Sequence, residues 1–136
     1  MRKTNLEFKT ELEERTKVFA VSVFKLLDAL PKKNSTRIIS YQLGKSASSI
    51  GANYHEANRA ESRDDFVHKC RIALKEASET CYWLDVLSRI YPMHEAIKSQ
   101  HSESVELRNL LQSITHSAAP KRASDSTASN SNTPNS

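Results

Sequence analysis

The chain has 136 residues, of which 38% are hydrophobic and 26% are charged, and its formal net charge is +4 at pH 7. This length suits a single domain with one modest core. The small charge excess lacks the dense basic stripe of a strong nucleic-acid-binding domain, and no run of 18 apolar residues is present that would span a membrane. Because the N-terminus also lacks the apolar segment of a signal peptide, we expect a cytoplasmic protein with no membrane partner.

The first predicted helix covers residues 5–30. Its apolar residues recur at spacings of three, four and seven, which builds one stripe for a core. The stripe consists of Leu12, Phe19, Val23, Leu26, Leu27 and Leu30. Pro31 ends this helix, and Asn34 or Ser35 is expected to cap the next one.

The second predicted helix covers residues 36–60 and is rich in small residues, including Gly44 and Gly51. A glycine weakens a helix by about 1 kcal/mol relative to alanine, so a close approach of two backbones is the expected compensation. The predicted hairpin puts Ala47 and Ile50 opposite the third helix, near Leu74, Ala77 and Ser78. The alternative is that both glycines are tolerated at the surface.

A corner is predicted at residues 61–65, since Ser62 followed by Asp65 resembles a capping box for a third helix over residues 63–91. A fourth helix is predicted over residues 93–116, with a polar interruption at residues 99–104. The sequence therefore predicts an all-α, antiparallel up-down four-helix bundle over residues 1–116. Residues 117–136 lack large apolar side chains and are predicted to be a disordered polar tail.

The third predicted helix is apolar on more than one face. One stripe suffices for the core of a single bundle, so the second stripe indicates burial by helices one and four or by a second subunit. We favour self-association. The candidate interface residues are Ile72, Tyr82, Trp83, Val86 and Ile90.

No residue spacing typical of a metal site is present, so neither a metal nor a cofactor is expected. Cys70 and Cys81 are eleven residues apart on one predicted helix, about 16 Å along its axis. A disulfide requires Cα atoms within about 7 Å. We therefore expect two buried free thiols.

Polar residues of helices two and three are predicted to meet. Asn53 and Glu56 share one helix face, and the hairpin puts them opposite His68 and Arg71. Such a cluster would suit acid–base chemistry, whereas the alternative is a hydrogen-bonded network that holds the helices in register. No nucleophile or phosphate-binding loop accompanies the cluster, so the protein is not expected to be an enzyme.

The first third of the chain has a basic bias. The candidate phosphate contacts are Lys25, Lys32, Lys33, Arg37 and Lys45. One hypothesis is an oligomer that contacts RNA or DNA through these residues, with binding that weakens steeply with salt. The alternative is a protein-interaction module without nucleic-acid contact, whose protein partner the sequence does not identify; a charge bias of this kind also occurs on solvated surfaces.

Three motifs carry a family resemblance: VFAVSVFKLLDALPK at residues 18–32, SxxSIGANYxEAxRAES at residues 46–62, and DFVHKxxIALKEAxETxYWLDVL at residues 65–87. They resemble the bacterial four-helix-bundle proteins encoded in intervening sequences of 23S ribosomal RNA genes. The resemblance implies an up-down bundle assembled into a ring-like homo-oligomer, such as a pentamer. The wider superfamily includes the accessory protein of diversity-generating retroelements, a basic ring that works with reverse transcriptase and nucleic acid. The polar positions of the family motif correspond here to Ser49, Asn53, Glu56, Arg59, Ser62, Asp65 and Glu76.

Overall fold

A computed structural model describes residues 2–120, which form four helices joined by short loops. The helices are α1 (Asn5–Ala29), α2 (Asn34–Ala57), α3 (Arg63–Ile90) and α4 (Glu95–Ala118). Residues 2–120 contain no strand, so the all-α prediction is confirmed, and every helix end lies within three residues of its predicted position. The helix α4 continues two residues into the predicted tail. The rest of that tail, residues 121–136, lies outside the described residues.

The four helices form a closed square, in which α1 and α3 each pack against α2 and α4. Two pairs of residues show that α2 and α3 run antiparallel, since Ser46 lies beside Thr80 and Glu56 lies beside Lys69. The core between the helices is formed largely by leucine and alanine. None of the helices within the described range is long and apolar enough to cross a membrane.

The helix starts differ between the two ends of the bundle. At one end, the side chains of Thr4 and Ser62 accept hydrogen bonds from the third backbone N–H of α1 and α3. At the opposite end, neither α2 nor α4 has a side-chain cap. The expectation that Asn34 or Ser35 caps α2 is therefore wrong. Thr36 partly replaces such a cap. Its hydroxyl accepts a hydrogen bond from the N–H of Lys33 and donates one to the carbonyl oxygen of Pro31.

The two glycines of α2 allow a close helix contact, but the neighbouring helix is α1. A Cβ added to Gly51 would lie 2.8 Å from Thr16 Oγ1, and one added to Gly44 would lie 3.1 Å from the ring of Phe24. Hence the prediction of a close approach is confirmed, whereas its assignment to the third helix is wrong. The contact between α2 and α3 uses alanines instead, and Ala47 and Ala77 are both fully buried.

The polar segment at residues 99–104 does not interrupt α4. Glu103 accepts two hydrogen bonds from Arg15 of α1, at 2.7 and 2.8 Å, and Glu106 accepts a third at 2.7 Å. Ser104 is fully buried, with its hydroxyl donating to the carbonyl of His101. Within this segment Glu103 supplies an ion pair that joins α4 to α1.

Candidate nucleic-acid interface

One segment of the chain contains basic residues and no acidic ones. Residues 29–55 contain Lys32, Lys33, Arg37 and Lys45 but no aspartate or glutamate. The remaining residues include sixteen basic and sixteen acidic side chains, so this segment carries the entire formal excess of +4. We call residues 29–55 the acid-free segment; it comprises the loop between α1 and α2 and nearly all of α2.

Three of the predicted phosphate contacts lie together at the end of the bundle. Lys32, Lys33 and Arg37 line one cavity of about 240 Å³, together with Asp28 and Thr36. All three basic side chains are exposed, and none forms an ion pair with another described residue. Arg37 donates a hydrogen bond only to the side-chain oxygen of Asn34, at 3.1 Å. These cations are therefore available to an external anion.

The start of α2 adds to this positive potential. Its first turn has no side-chain cap and no acidic residue, unlike α1 and α3, whose first turns contain Glu7 and the pair Asp64 and Asp65. The free N–H groups of a helix start, with the positive end of the helix dipole, favour an anion. The loop cations and the backbone at the start of α2 therefore both favour a bound anion.

The other two predicted contacts lie apart from this end. Lys25 is exposed on α1 and does not line the cavity. Lys45 follows Arg37 by two helical turns, about 12 Å along α2. On α3, burial and Glu79 raise the pKa of the Glu76 carboxyl, while the charges of Lys75 and Lys45 oppose that rise. The structure therefore brings together Lys32, Lys33 and Arg37, with Lys25 and Lys45 along the sides.

The sequence analysis missed two apolar side chains on the surface of α2. Ile38 is 60% exposed, and the ring of Tyr41 is 67% exposed. The signal was present in the sequence, because Tyr41 is four residues after Arg37 and four before Lys45, and residues at this spacing share a helix face. An aromatic ring between two cations is a common arrangement on nucleic-acid-binding surfaces.

The predicted acid–base cluster does not assemble. Glu56 pairs with Lys69 at 2.9 Å, which lowers the pKa of the Glu56 carboxyl, and it forms no hydrogen bond or ion pair with Arg71 or His68. Asn53 donates a hydrogen bond to the carbonyl of Ser49 within its own helix. These contacts fit the alternative, a polar network that holds the helices in register, because the ion pair joins α2 to α3.

The remaining motif residues also make structural contacts. Ser62 caps α3 by accepting the N–H of Asp65 at 3.0 Å. Arg59 donates to a carboxylate oxygen of Glu13 at 2.9 Å and to the carbonyl of His55. Glu13 also accepts a hydrogen bond from Asn58 at 2.8 Å. Glu13, which the sequence analysis did not single out, therefore fastens α1 to the C-terminal end of α2.

The candidate interface residues of α3 differ in exposure. Tyr82 is 60% exposed and Ile90 is 41% exposed, whereas Trp83 and Val86 pack partly against the core of their own bundle. The rings of Tyr82 and Trp83 meet edge to face, with centroids 4.9 Å apart. Ile72 is half-buried on the same helix.

Chemically reactive groups are few in the described part of the chain. Cys70 and Cys81 are buried and unpaired, as expected, and burial raises the pKa of the Cys70 thiol to about 11. A thiol with so high a pKa is protonated at neutral pH and is a poor nucleophile. Residues 2–120 contain no group of three or more His, Cys, Asp or Glu side chains arranged to hold a metal ion.

Comparison with known proteins agrees with the four-helix architecture. The chain is similar to a crystal structure of a protein with unknown function from the S23 ribosomal protein family of Bacteroides thetaiotaomicron VPI-5482, with 39% identity and a TM-score of 0.72. The alignment covers 79% of this chain and 97% of that one. No curated protein matches the chain. The family described as 23S rRNA-intervening sequence protein matches residues 9–113, and the chain belongs to that family.

Proposed function

We propose that this protein is a non-enzymatic, homo-oligomeric helical bundle that binds RNA or DNA through the acid-free segment. The observation that carries the proposal is the local charge. Lys32, Lys33 and Arg37 are exposed and unpaired at the uncapped start of α2, in a segment that holds the whole charge excess of the chain. Phosphate groups are the anions that such a surface binds best, because several cations can each neutralise one phosphate.

The family supports RNA as the first ligand to test, since its name places these proteins with intervening sequences of 23S rRNA. A labelled fragment of large-subunit ribosomal RNA is incubated with the protein, and retardation in a native gel is measured at two salt concentrations. With about four phosphate contacts, the affinity is expected to fall about a hundred-fold between roughly 50 and 200 mM salt. Salt-independent retardation would contradict a contact made through phosphates.

Charge reversal locates the binding surface. The double variant Lys32→Glu with Lys33→Glu is expected to abolish retardation at the higher salt concentration. Its matched control is Arg71→Glu with Lys75→Glu, which makes the same charge change at two exposed positions of α3. If both double variants weaken binding equally, the net charge of the molecule drives it and the proposed surface is wrong.

Self-association is the second part of the proposal, with Tyr82 and Ile90 as exposed contacts and Ile72, Trp83 and Val86 around them. Light scattering is expected to give a closed oligomer such as a pentamer, and Tyr82→Glu with Ile90→Glu is expected to dissociate it.

A protein-interaction module without nucleic-acid contact is the second candidate function. The observation that favours it is the outward face of α1, where Val18 and Val21 are about half exposed and remain outside the core of the bundle. This function predicts capture of a protein partner that is insensitive to salt and is lost in Val18→Glu with Val21→Glu. It also predicts no retardation of ribosomal RNA fragments, which separates it from the first candidate.

A further inference from the structure

The ring of Tyr41 has no partner in the described part of the chain. It is 67% exposed, and neither a hydrogen bond nor a ring contact to another residue in the range 2–120 holds it. An aromatic ring can bury well over a hundred Å² against a partner, so its exposure leaves a large favourable contact unmade. The environment of the ring indicates which partner would make that contact.

Tyr41 lies on the edge of α2 that faces α1. It precedes Gly44 by three residues and follows Arg37 by four, so these residues share one side of the helix. Gly44 lies against the ring of Phe24 on α1, and Arg37 lines a cavity with Asp28 at the C-terminal end of α1. Tyr41 is therefore located between the end cavity and the ring of Phe24.

Phe24 supplies a second aromatic ring on this surface. It is 46% exposed, and a Cβ on Gly44 would lie 3.1 Å from its Cε1 atom. Because Gly44 has no side chain, the ring lies over the backbone of α2. Two exposed cations, Arg37 and Lys45, each lie four residues from Tyr41 and share its helix face.

We infer that Tyr41 stacks on an unpaired base, and that the polyanion bound by the acid-free segment is single-stranded nucleic acid. This inference rests on the proposed function and specifies its ligand. Proteins that hold single strands combine a positive surface with exposed aromatic rings, because every unpaired base has a free face on which a ring stacks. In a duplex both faces of each base are already covered by neighbouring bases.

A second copy that presents this same surface fits it less well than a single strand does. If two copies met through the same patch, Arg37 and Lys45 of one would approach the identical cations of the other. Like charges brought together in an interface cost binding energy. A polyanion neutralises the same cations.

The test compares single-stranded and duplex probes on the full chain. Fluorescence anisotropy measures binding of a labelled oligouridylate of about 15 nucleotides, close to the site size of single-strand binders, and of a duplex RNA of equal length. The wild type is expected to bind the single strand at least ten-fold more tightly. Tyr41→Ala is expected to lower single-strand affinity about ten-fold, whereas Tyr41→Phe keeps the ring and stays close to the wild type.

Phe8→Ala is the matched control, because Phe8 is an exposed aromatic residue in the first turn of α1, at the opposite end of the bundle from Arg37. It is expected to leave the affinity for the oligouridylate unchanged. The salt dependence of Tyr41→Ala is expected to equal that of the wild type, since stacking releases no counterions. Thermal melting checks that each variant is folded.

The possible failures are distinguishable. If the wild type binds duplex and single strand equally, or if Tyr41→Ala has no effect while the Lys32 and Lys33 variant does, the stacking inference is overturned and the phosphate contact stands. If Tyr41→Ala changes the subunit count in light scattering and not the affinity, a second copy covers the ring. If the wild type binds neither probe nor the ribosomal RNA fragment, the proposed function and this inference both fail.

Discussion

Gly51 on α2 lies against Thr16 on α1 so closely that a Cβ at position 51 would be 2.8 Å from Thr16 Oγ1. Thr16 is itself buried, and its hydroxyl donates a hydrogen bond to the carbonyl of Glu13 at 2.9 Å. The two backbones therefore meet here with only one side chain between them. This contact gives a physical reason for a glycine in the middle of a 24-residue helix.

The first prediction is that Gly51→Ala destabilises the protein by about 1–3 kcal/mol, because the added methyl group forces Thr16 and its backbone to move. The measurement is the free energy of unfolding in urea. Gly44→Ala is the control, since its closest neighbour is the flexible, half-exposed ring of Phe24. That variant is expected to be neutral or more stable by up to about 1 kcal/mol, the helix propensity of alanine. Equal effects at both positions would contradict the close contact at Gly51.

The second prediction concerns the ion pair of Arg15 and Glu103, whose side chains are both about one-third exposed. The two parallel hydrogen bonds make this a favourable geometry for a surface pair. A double-mutant cycle with alanine at both positions is expected to give a coupling energy of about 1 kcal/mol that decreases with added salt. A coupling energy of zero would show that this ion pair adds no net stability to the contact between α1 and α4.

The third prediction is a pH dependence that originates in Glu13. Burial raises the pKa of this carboxyl, but hydrogen bonds from Arg59, Asn58 and His55 together lower it below its ordinary value of 4.5. A group with a lowered pKa in the folded state stabilises the fold above its unfolded pKa and loses that contribution as the pH falls through the folded value. Glu13→Gln is therefore expected to cost about 1 kcal/mol at pH 7 and progressively less below about pH 4.

Glu14→Gln is the matched control for this pH series, because Glu14 is the exposed next residue of α1. Urea unfolding of both variants is measured between pH 7 and pH 3. The Glu14 variant is expected to follow the wild type throughout. If the stability lost in Glu13→Gln stays constant over this pH range, the loss comes from packing and not from titration of the carboxyl group.

The fourth prediction tests the corner between α2 and α3. Ser62→Ala removes the hydroxyl that accepts the N–H of Asp65 and is expected to cost about 1 kcal/mol, whereas Ser62→Asp keeps an acceptor and most of the stability. Ser35→Ala, in the first turn of α2 where no side-chain cap exists, is expected to have no effect. Thermal melting compares the three. If Ser35→Ala lowers the melting temperature more than Ser62→Ala does, the caps are assigned to the wrong helices.

The helices were predictable from the sequence because their signals are local. Pro31 and Pro92 lie in loops, and Ser62 with Asp65 marks the start of α3. The helix that packs against the two glycines was not predictable, because a glycine indicates a close approach but does not identify the neighbouring helix. The polar segment of α4 was misread for the same reason, since Glu103 has its partner 88 residues away in α1.

The candidate site also has features that could be predicted from the sequence and features that could not. The basic residues and their exposure follow from the sequence, as Lys32 and Lys33 adjoin a proline in a loop. The separation of Lys45 from them also follows from its spacing along α2, whereas the electrostatic coupling of Lys45 to Glu76 on α3 required coordinates. The same holds for Glu56, which pairs with Lys69 and not with the predicted His68 or Arg71, only one helical turn or less away.

The antiparallel packing has an electrical consequence for the whole molecule. The dipoles of α1 and α3 oppose those of α2 and α4. Because the four helices have similar lengths of 24 to 28 residues, the net dipole of the whole bundle is small. The local field at each helix end remains, and at the start of α2 it adds to the unpaired cations of Lys32, Lys33 and Arg37, so this end of α2 is positive. In the proposed nucleic-acid complex this positive end would turn toward the polyanion before the two touch, and a ring with cyclic symmetry would gather the corresponding ends of all subunits on a single rim.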